Sequence, residues 1–216
     1  EREFDVDSSS VLDLVEQAVY KAVADAGISK DSLADLDSLV MVKSFRESTR
    51  NSPEALANRI GATRASQWLM PNGGNGPQYL VNRYSEAIAN GESRFVLFAG
   101  AEAMATARKI VKTTGEQPSW QEAASGDPKF LVEDAELSTL HEQQHGLWLA
   151  PGFYAMSENA RRHQLGHSVE EHQLGLGELF AQFTEVAAKS PHAWYPVQRS
   201  AEEIATATDS NRYVAW

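Results

Sequence analysis

The chain has 216 residues with 19 basic and 30 acidic side chains, a formal net charge of −11 at pH 7, and no cysteine. A chain of this length buries enough apolar surface to fold without disulfides or a metal, and the absence of cysteine fits a reducing compartment such as the cytoplasm. The negative charge argues against nucleic acid as a partner, and no apolar run approaches the roughly 20 residues of a membrane span.

The first half of the chain alternates helical and strand patterns. Apolar residues recur at helical spacing in three segments, and a short apolar run follows each of them. In chain order the predicted elements are the helix Val11–Val23, the strand Leu36–Val42, the helix Ser52–Ile60, the strand Ser66–Met70, the helix Pro77–Ile88 and the strand Phe95–Phe98. Apolar strands that alternate with helices are typical of a parallel sheet buried under helices. The sequence therefore predicts an α/β fold with a parallel-rich sheet and flanking helices.

After Met104 this alternation stops. Residues 113–134 are polar and contain several helix breakers, which favours loop structure. Further on, Ser168-Val169-Glu170-Glu171 forms the pattern of a capping box and predicts the start of a long helix. Gly175 and Gly177 weaken the start of that helix by roughly 1 kcal/mol each relative to Ala, and they permit another backbone to approach closely.

A glycine-rich segment, Asn72–Gly76, separates the second predicted strand from the helix that follows. Three glycines in five residues suit a sharp turn in which the backbone needs positive φ or close approach. The helix N-terminus beyond it leaves N–H groups unpaired and carries a positive partial charge, which suits an anion, an oxyanion or an activated nucleophile. Ligands often bind at this edge of an open α/β sheet. A tight connection without chemistry is the alternative.

Three motifs around this turn are those of a known enzyme superfamily. They are the helix end Ala87–Gly91, the strand that closes on Gly100–Met104 as G-x-E-x-M, and the stretch GGNGPQYLVNR from Gly73 to Arg83. Together they resemble the N-terminal half of a thiolase, in the branch described as acetyl-CoA acetyltransferase or sterol-carrier-type thiolase-like protein. The resemblance implies an acyltransferase of lipid metabolism that handles a coenzyme A thioester and needs no other cofactor.

The turn departs from the thiolase pattern at the nucleophile. Thiolases work through an acyl-cysteine, and the equivalent position here is Gly74, or Gly73 with a shift of one residue. Glycine cannot attack a thioester, since that step needs a thiolate or an activated hydroxyl or carboxylate. The sequence therefore predicts an acyl-CoA-binding protein whose nucleophilic cysteine is replaced by glycine. A non-catalytic scaffold subunit is the alternative.

The resemblance also implies a domain organisation and a set of binding residues. It suggests an α/β core over residues 1–112, a mainly helical loop domain over 113–200, and the start of a return to the sheet over 201–216. We expect the chain to be incomplete, with a homodimer or a partner chain supplying the C-terminal half of a thiolase. The residues expected to contact the substrate are Gly73, Gly74, Asn75, Gly76, Met156 and His163. The resemblance does not specify the length of the acyl chain that would be bound.

Two further patterns suggest other chemistry. His141-Glu142-Gln143-Gln144-His145 matches H-E-x-x-H, in which His141 and His145 would bind zinc and Glu142 would act as the base of a hydrolase. Gly146 follows at once and would end the helix, so zinc is the remote alternative. Five arginines are candidate phosphate contacts, with ordinary surface charge as the alternative: Arg46, Arg50, Arg83, Arg161 and Arg162.

Overall fold

The computed structural model describes residues 9–134, 136, 138–209 and 211, which form two compact units. The described residues up to Asp134 belong to the first unit, and those from Glu136 onward belong to the second. The boundary lies within the segment 113–200 that the sequence suggests as a loop domain. Residues 212–216, at the end of the last predicted segment, lie outside the described residues.

The first unit contains a three-stranded parallel sheet in the order β2-β1-β3, in which Val40 lies between Trp68 and Phe98. The sheet confirms the predicted parallel α/β architecture. Its elements are α1 (Val11–Asp25), a 3-10 helix (Lys30–Asp35), β1 (Ser38–Val42), α2 (Ser52–Ile60), β2 (Ser66–Met70), α3 (Gly76–Ala89), β3 (Val96–Ala99) and α4 (Met104–Thr114).

Helices cover both faces of this sheet because β1 alternates its side chains between two apolar clusters. Leu39 and Met41 are buried in a cluster with α1 and α2, whereas Val40 is buried in a cluster with α3. α1 begins where the Ser10 hydroxyl accepts a hydrogen bond from the Asp13 N–H at 3.1 Å. The resulting layers place the ends of all three strands at one edge.

The outer edge of β2 is partly paired with the polar segment of residues 113–134. The Leu69 N–H donates to the Lys129 carbonyl at 2.8 Å, and the Leu131 N–H donates to the Leu69 carbonyl at 3.0 Å. Because the backbone of Leu69 is already bonded on its outer side, this position is closed to strand pairing with a second chain.

Arg59 connects α2 to α1 and to the polar segment of residues 113–134. Its guanidinium donates to Asp13 at 2.8 Å, to Glu16 at 2.9 Å, and to both carboxylate oxygens of Glu122. Burial acts to raise the pKa of Asp13, but the hydrogen bonds from the Ser10 N–H and Arg59 outweigh this and hold the pKa below its usual value. The network therefore fixes part of the polar segment against the helical layer.

Asp37, just before β1, ties the start of β3 to the central strand. Its Oδ2 atom accepts hydrogen bonds from the N–H groups of Arg94 at 2.7 Å and Phe95 at 2.9 Å, and from the Ser93 hydroxyl at 3.3 Å. The two backbone hydrogen bonds lower the pKa of Asp37 because they stabilise the ionised carboxylate.

Asp37→Asn is expected to lower the melting temperature by a few degrees near neutral pH. A carboxylate whose folded pKa is depressed stabilises the fold above its unfolded pKa of about 3.9, and this contribution is lost as the pH falls through the folded value. The difference between wild type and variant should therefore shrink to nothing in acid. Thermal unfolding followed over a pH series checks this, with the exposed Asp25→Asn as control. A difference that persists in acid would contradict the assignment.

The second unit is built from helices in the described residues. They are α5 (Leu140–Gln144), α6 (Ala150–Leu165), α7 (Val169–Lys189) and α8 (Ala201–Ala205). The capping box predicted at Ser168 is present, because the Ser168 hydroxyl accepts from the Glu171 N–H at 3.1 Å and the Glu171 carboxylate accepts from the Ser168 N–H at 2.8 Å. Gly177 is the one buried residue of α7, and it packs against the backbone of Ala201.

The long helices of the second unit leave apolar side chains in solvent. Phe183 and Val186 on α7 are 61% and 69% exposed, and Phe180 beside them is 48% exposed. None of the described helices is long and apolar enough to cross a membrane.

Candidate functional site

The glycine-rich turn lies where the sequence predicts it, between the end of β2 at Met70 and the start of α3 at Gly76. Of the two reasons that the sequence offers for these glycines, positive φ does not apply, since Gly73, Gly74 and Gly76 all lie outside that region. Close approach explains one glycine. A Cβ atom on Gly73 would lie 2.9 Å from the Asn75 Oδ1 atom, whereas a Cβ on Gly74 would meet nothing within 4 Å.

This turn leaves several N–H groups of the α3 N-terminus unpaired. The Gly76 N–H donates to the Gly73 carbonyl at 2.9 Å, and the Tyr79 N–H donates to the Asn75 carbonyl at 2.9 Å. Within the described chain, the N–H groups of Gly74, Asn75 and Gln78 have no hydrogen-bond partner. Asn75 occupies the N-cap position, but its side chain makes no capping bond. The turn therefore presents donors to solvent, and Gly74 and Asn75 are exposed.

The neighbouring strand ends are joined at the same edge of the sheet. Glu102, which follows β3, accepts hydrogen bonds from the Phe45 N–H at 2.8 Å and from the Ser44 hydroxyl at 3.2 Å. Its other carboxylate oxygen accepts from the Ala103 N–H at 2.9 Å. Glu102 thus fixes the loop after β1 against the start of α4, which is a structural role.

The H-E-x-x-H motif folds as a surface turn. α5 ends at Gln144, and the His145 Nδ1 atom donates to the His141 carbonyl at 2.8 Å. Glu142 is engaged in a capping box, where its carboxylate accepts from the Thr139 N–H at 2.7 Å. The hydrogen bonds from the Thr139 N–H and hydroxyl lower the pKa of Glu142. In the described part of the chain, no group of three or more His, Asp or Glu side chains is arranged to hold a metal.

A signal for this outcome was present in the sequence. Thr139-x-x-Glu142 is itself a capping-box pattern, and it competes with the zinc interpretation for the same carboxylate. The geometry gives the zinc alternative no support.

The other predicted contacts lie on α6, in the second unit. Met156 and His163 are seven residues apart, which is two helical turns, and both are exposed. Nearby, the His172 Nε2 atom lies 2.8 Å from the Glu158 carboxylate, and the His172 side chain is only 11% exposed. Met156 and His163 stay predicted contacts, while His172 has a structural partner within its own unit.

Three of the five candidate phosphate contacts donate a side-chain hydrogen bond to another described residue. Arg50 forms an ion pair with Asp127 at 2.7 Å, and Arg83 donates to the Tyr79 hydroxyl at 3.3 Å. Arg162 donates to the His167 carbonyl at 3.0 Å. Arg46 instead lines a cavity together with Arg108 and Lys112, two residues that the sequence interpretation missed.

The fold has a relative among solved structures. The chain is similar to a structure described as a monomeric SCP2-thiolase-like protein type 1 from Mycobacterium smegmatis, with a TM-score of 0.71 and 32% sequence identity over 98% of this chain. The chain has a thiolase-like fold. The resemblance that was read from Gly73–Arg83 and the flanking motifs is confirmed at the level of the fold.

This thiolase-like chain covers 38% of the length of that relative. No family model and no curated protein matches the present chain. The assignment of binding residues at the turn therefore depends on the geometry of the turn and on the motif Gly73–Arg83.

Proposed function

We propose that this chain is a thiolase-superfamily protein that binds an acyl-CoA thioester at the Asn72–Gly76 turn without forming an acyl-enzyme. The observation that carries the proposal is the group of unpaired N–H donors at Gly74, Asn75 and Gln78. Backbone donors at a helix N-terminus are suited to a polarised carbonyl oxygen or an oxyanion. The similarity to an SCP2-thiolase-like protein supports a thioester as the ligand.

The proposed chemistry stops at binding because the turn supplies no nucleophile. Residues 71–76 read Pro-Asn-Gly-Gly-Asn-Gly, and the whole chain lacks cysteine. An asparagine amide can donate to the thioester carbonyl, but it cannot attack it. The carbonyl would be held and polarised, and its carbon–sulfur bond would stay intact.

The proposal includes a partner chain that provides the rest of a thiolase. The chain spans 38% of its relative, and the exposed Phe180, Phe183 and Val186 of α7 offer apolar surface for such a partner. A homodimer through the edge of β2 is less favoured, because Leu69 already bonds to Lys129 and Leu131. The role in lipid metabolism and the cytoplasmic location stay predictions.

Gly74→Asp is expected to weaken acetyl-CoA binding by roughly tenfold or more, since a carboxylate beside the turn would occupy its donors and repel the ligand. The new charge lies near the positive end of α3, where it favours the helix, so loss of binding would not reflect unfolding. Isothermal titration calorimetry of wild type and variant measures the effect. Ser119→Asp is the matched control, because it adds the same charge on an exposed loop.

Three outcomes separate the alternatives. Equal binding by Gly74→Asp and Ser119→Asp would remove the turn from the binding site. A wild-type chain that binds no acetyl-CoA would favour the scaffold subunit. An acetyl adduct on the wild-type chain in an intact-mass spectrum would show a nucleophile elsewhere, and the purely non-covalent proposal would then fail.

A further inference from the structure

A cavity of about 240 Å³ opens in the first unit and is lined by Arg46, Ala107, Arg108, Val111, Lys112 and Gln117. Arg46 comes from the loop after β1, and four of the other five residues come from α4, which follows β3. Because both strands are parallel neighbours, their following segments leave the sheet at the same edge, where α/β proteins commonly bind ligands.

Three of the six lining side chains are cationic, in a chain whose net charge is −11. Arg108 and Lys112 are four residues apart on α4, so their charges lie on one face of the helix, where like charges repel. Arg46 adds a third positive charge from another element. Such a cluster is unfavourable when the cavity is empty and becomes favourable when an anion lies between the cations.

These cations have no acidic partner in the part of the chain that the structure describes. Arg108 donates to the Met104 sulfur at 3.1 Å, which is a weak acceptor. The Nε atom of Arg46 is buried without a hydrogen-bond partner, and this is costly for a charged donor. Glu47, next in the chain, accepts from the Thr49 N–H at 2.7 Å and makes no ion pair with Arg46. The structure therefore holds three cations together without neutralising them.

The walls of the cavity are fixed by contacts that do not involve the cations. Glu102 bonds to the Phe45 N–H, one residue before Arg46. Just before α4, Ala103 is buried in the apolar cluster with α1 and α2. On α4 itself Ala107 and Ile110 are buried, whereas Arg108 and Lys112 are exposed. Glu102 therefore ties together the two backbone segments that carry the cations, which favours a preformed anion site.

We propose that this cavity binds a phosphate group, which Arg46, Arg108 and Lys112 would contact. Two guanidinium groups and an ammonium match a compact dianion with several acceptor oxygens, because Arg binds phosphate in bidentate fashion and Lys adds a point charge. The group can be free phosphate or the phosphate of a small ester, and the chemistry of recognition is the same. The proposal is independent of thioester binding, since it concerns other residues and is tested with phosphate alone.

The test is calorimetric titration of the whole chain with inorganic phosphate and, separately, with glycerol 3-phosphate, at an ionic strength fixed with sodium chloride. Wild type should show saturable binding of one equivalent. The double variant Arg108→Gln/Lys112→Gln should lose roughly tenfold or more in affinity, because two charge-assisted contacts are removed. Lys21→Gln/Arg64→Gln makes the same change of charge on exposed surface of the first unit and should bind as wild type does.

Each outcome decides one point. Binding of phosphate alone assigns the site to the free ion, whereas equal or tighter binding of the ester assigns it to the phosphate of a larger molecule. No saturable binding of either compound, or equal weakening by both double variants, overturns the proposal. The substituted side chains are exposed, and an unchanged thermal unfolding curve for each variant verifies that the fold is retained. Acetyl-CoA binding at the turn can fail without affecting any of these results.

Discussion

Gly177→Ala is expected to destabilise the packing of α8 on α7 and to lower the free energy of unfolding of the chain. The Cβ atom of an alanine at this position would collide with the Ala201 carbonyl oxygen and would lie 3.0 Å from the carbonyl carbon. These atoms belong to the backbone at the start of α8, so they cannot move aside as the end of a side chain could. The clash can be relieved only by displacing one helix from the other.

The magnitude follows from two opposing effects. Overpacking costs about 1–3 kcal/mol, and a clash with backbone falls at the upper end of that range. Alanine gains roughly 1 kcal/mol over glycine in a helix interior, which offsets part of the cost. We therefore expect a net loss of about 1–2 kcal/mol, measured by urea denaturation followed by circular dichroism.

Gly175→Ala provides the matched control on the same helix. A Cβ at this position would meet nothing within 4 Å, so only the gain in helix propensity applies. This variant should raise the free energy of unfolding by up to about 1 kcal/mol. Opposite signs for two glycines that are two residues apart would locate the close approach at Gly177, whereas equal effects would contradict it.

These two glycines also show which features of the fold can be predicted from the sequence alone. The patterns that depend on neighbouring residues were recovered, such as the strand Ser66–Met70 and the capping box at Ser168. Both glycines of α7 were expected to allow close approach, but only Gly177 meets another backbone. The difference depends on Ala201, which is remote in sequence, and no local pattern encodes it.

The candidate sites likewise combine features that local sequence patterns predict with features that depend on residues remote in sequence. The sequence predicts the turn after β2 from its glycines and from Pro77. Of the two reasons it offers for the glycines, positive φ does not apply, whereas close approach applies at Gly73. Of the three cations that line the cavity beside α4, the sequence singles out only Arg46 as a candidate phosphate contact. The i, i+4 spacing of Arg108 and Lys112 is visible in the sequence, yet it gains meaning only when the fold places α4 beside the loop after β1.

Gly74→Cys is expected to make the turn, which we propose as a thioester-binding site, accept an acyl group. Because Gly74 lies outside the positive-φ region and its Cβ position is open, a cysteine fits there without strain. The N-terminus of α3 should lower the pKa of the thiol from about 8.5 to about 7.5 or below. At pH 7 a pKa of about 7.5 raises the reactive thiolate fraction about eightfold.

The reaction can be followed directly because the wild-type chain has no cysteine. The thiolate would attack the carbonyl carbon of acetyl-CoA, the new sulfur–carbon bond would form as the carbon–sulfur bond to coenzyme A breaks, and the coenzyme A thiolate would take up a proton. Intact-mass spectra over time should show one acetyl group on Gly74→Cys and none on the wild type. Ser119→Cys, on an exposed loop, sets the rate for an ordinary thiol.

Gly73→Cys distinguishes the two positions that the resemblance leaves open. A Cβ at Gly73 would lie 2.9 Å from the Asn75 Oδ1 atom, so the Asn75 side chain must move before a thiol can be accommodated. We expect Gly74→Cys to be acetylated several-fold faster than Ser119→Cys, because the larger thiolate fraction outweighs the lower nucleophilicity of a thiolate of lower pKa. Gly73→Cys should fall between them. If all three thiols reacted at one rate, the donors of the turn would not act on the thioester carbonyl, and the turn would be a structural connection between β2 and α3.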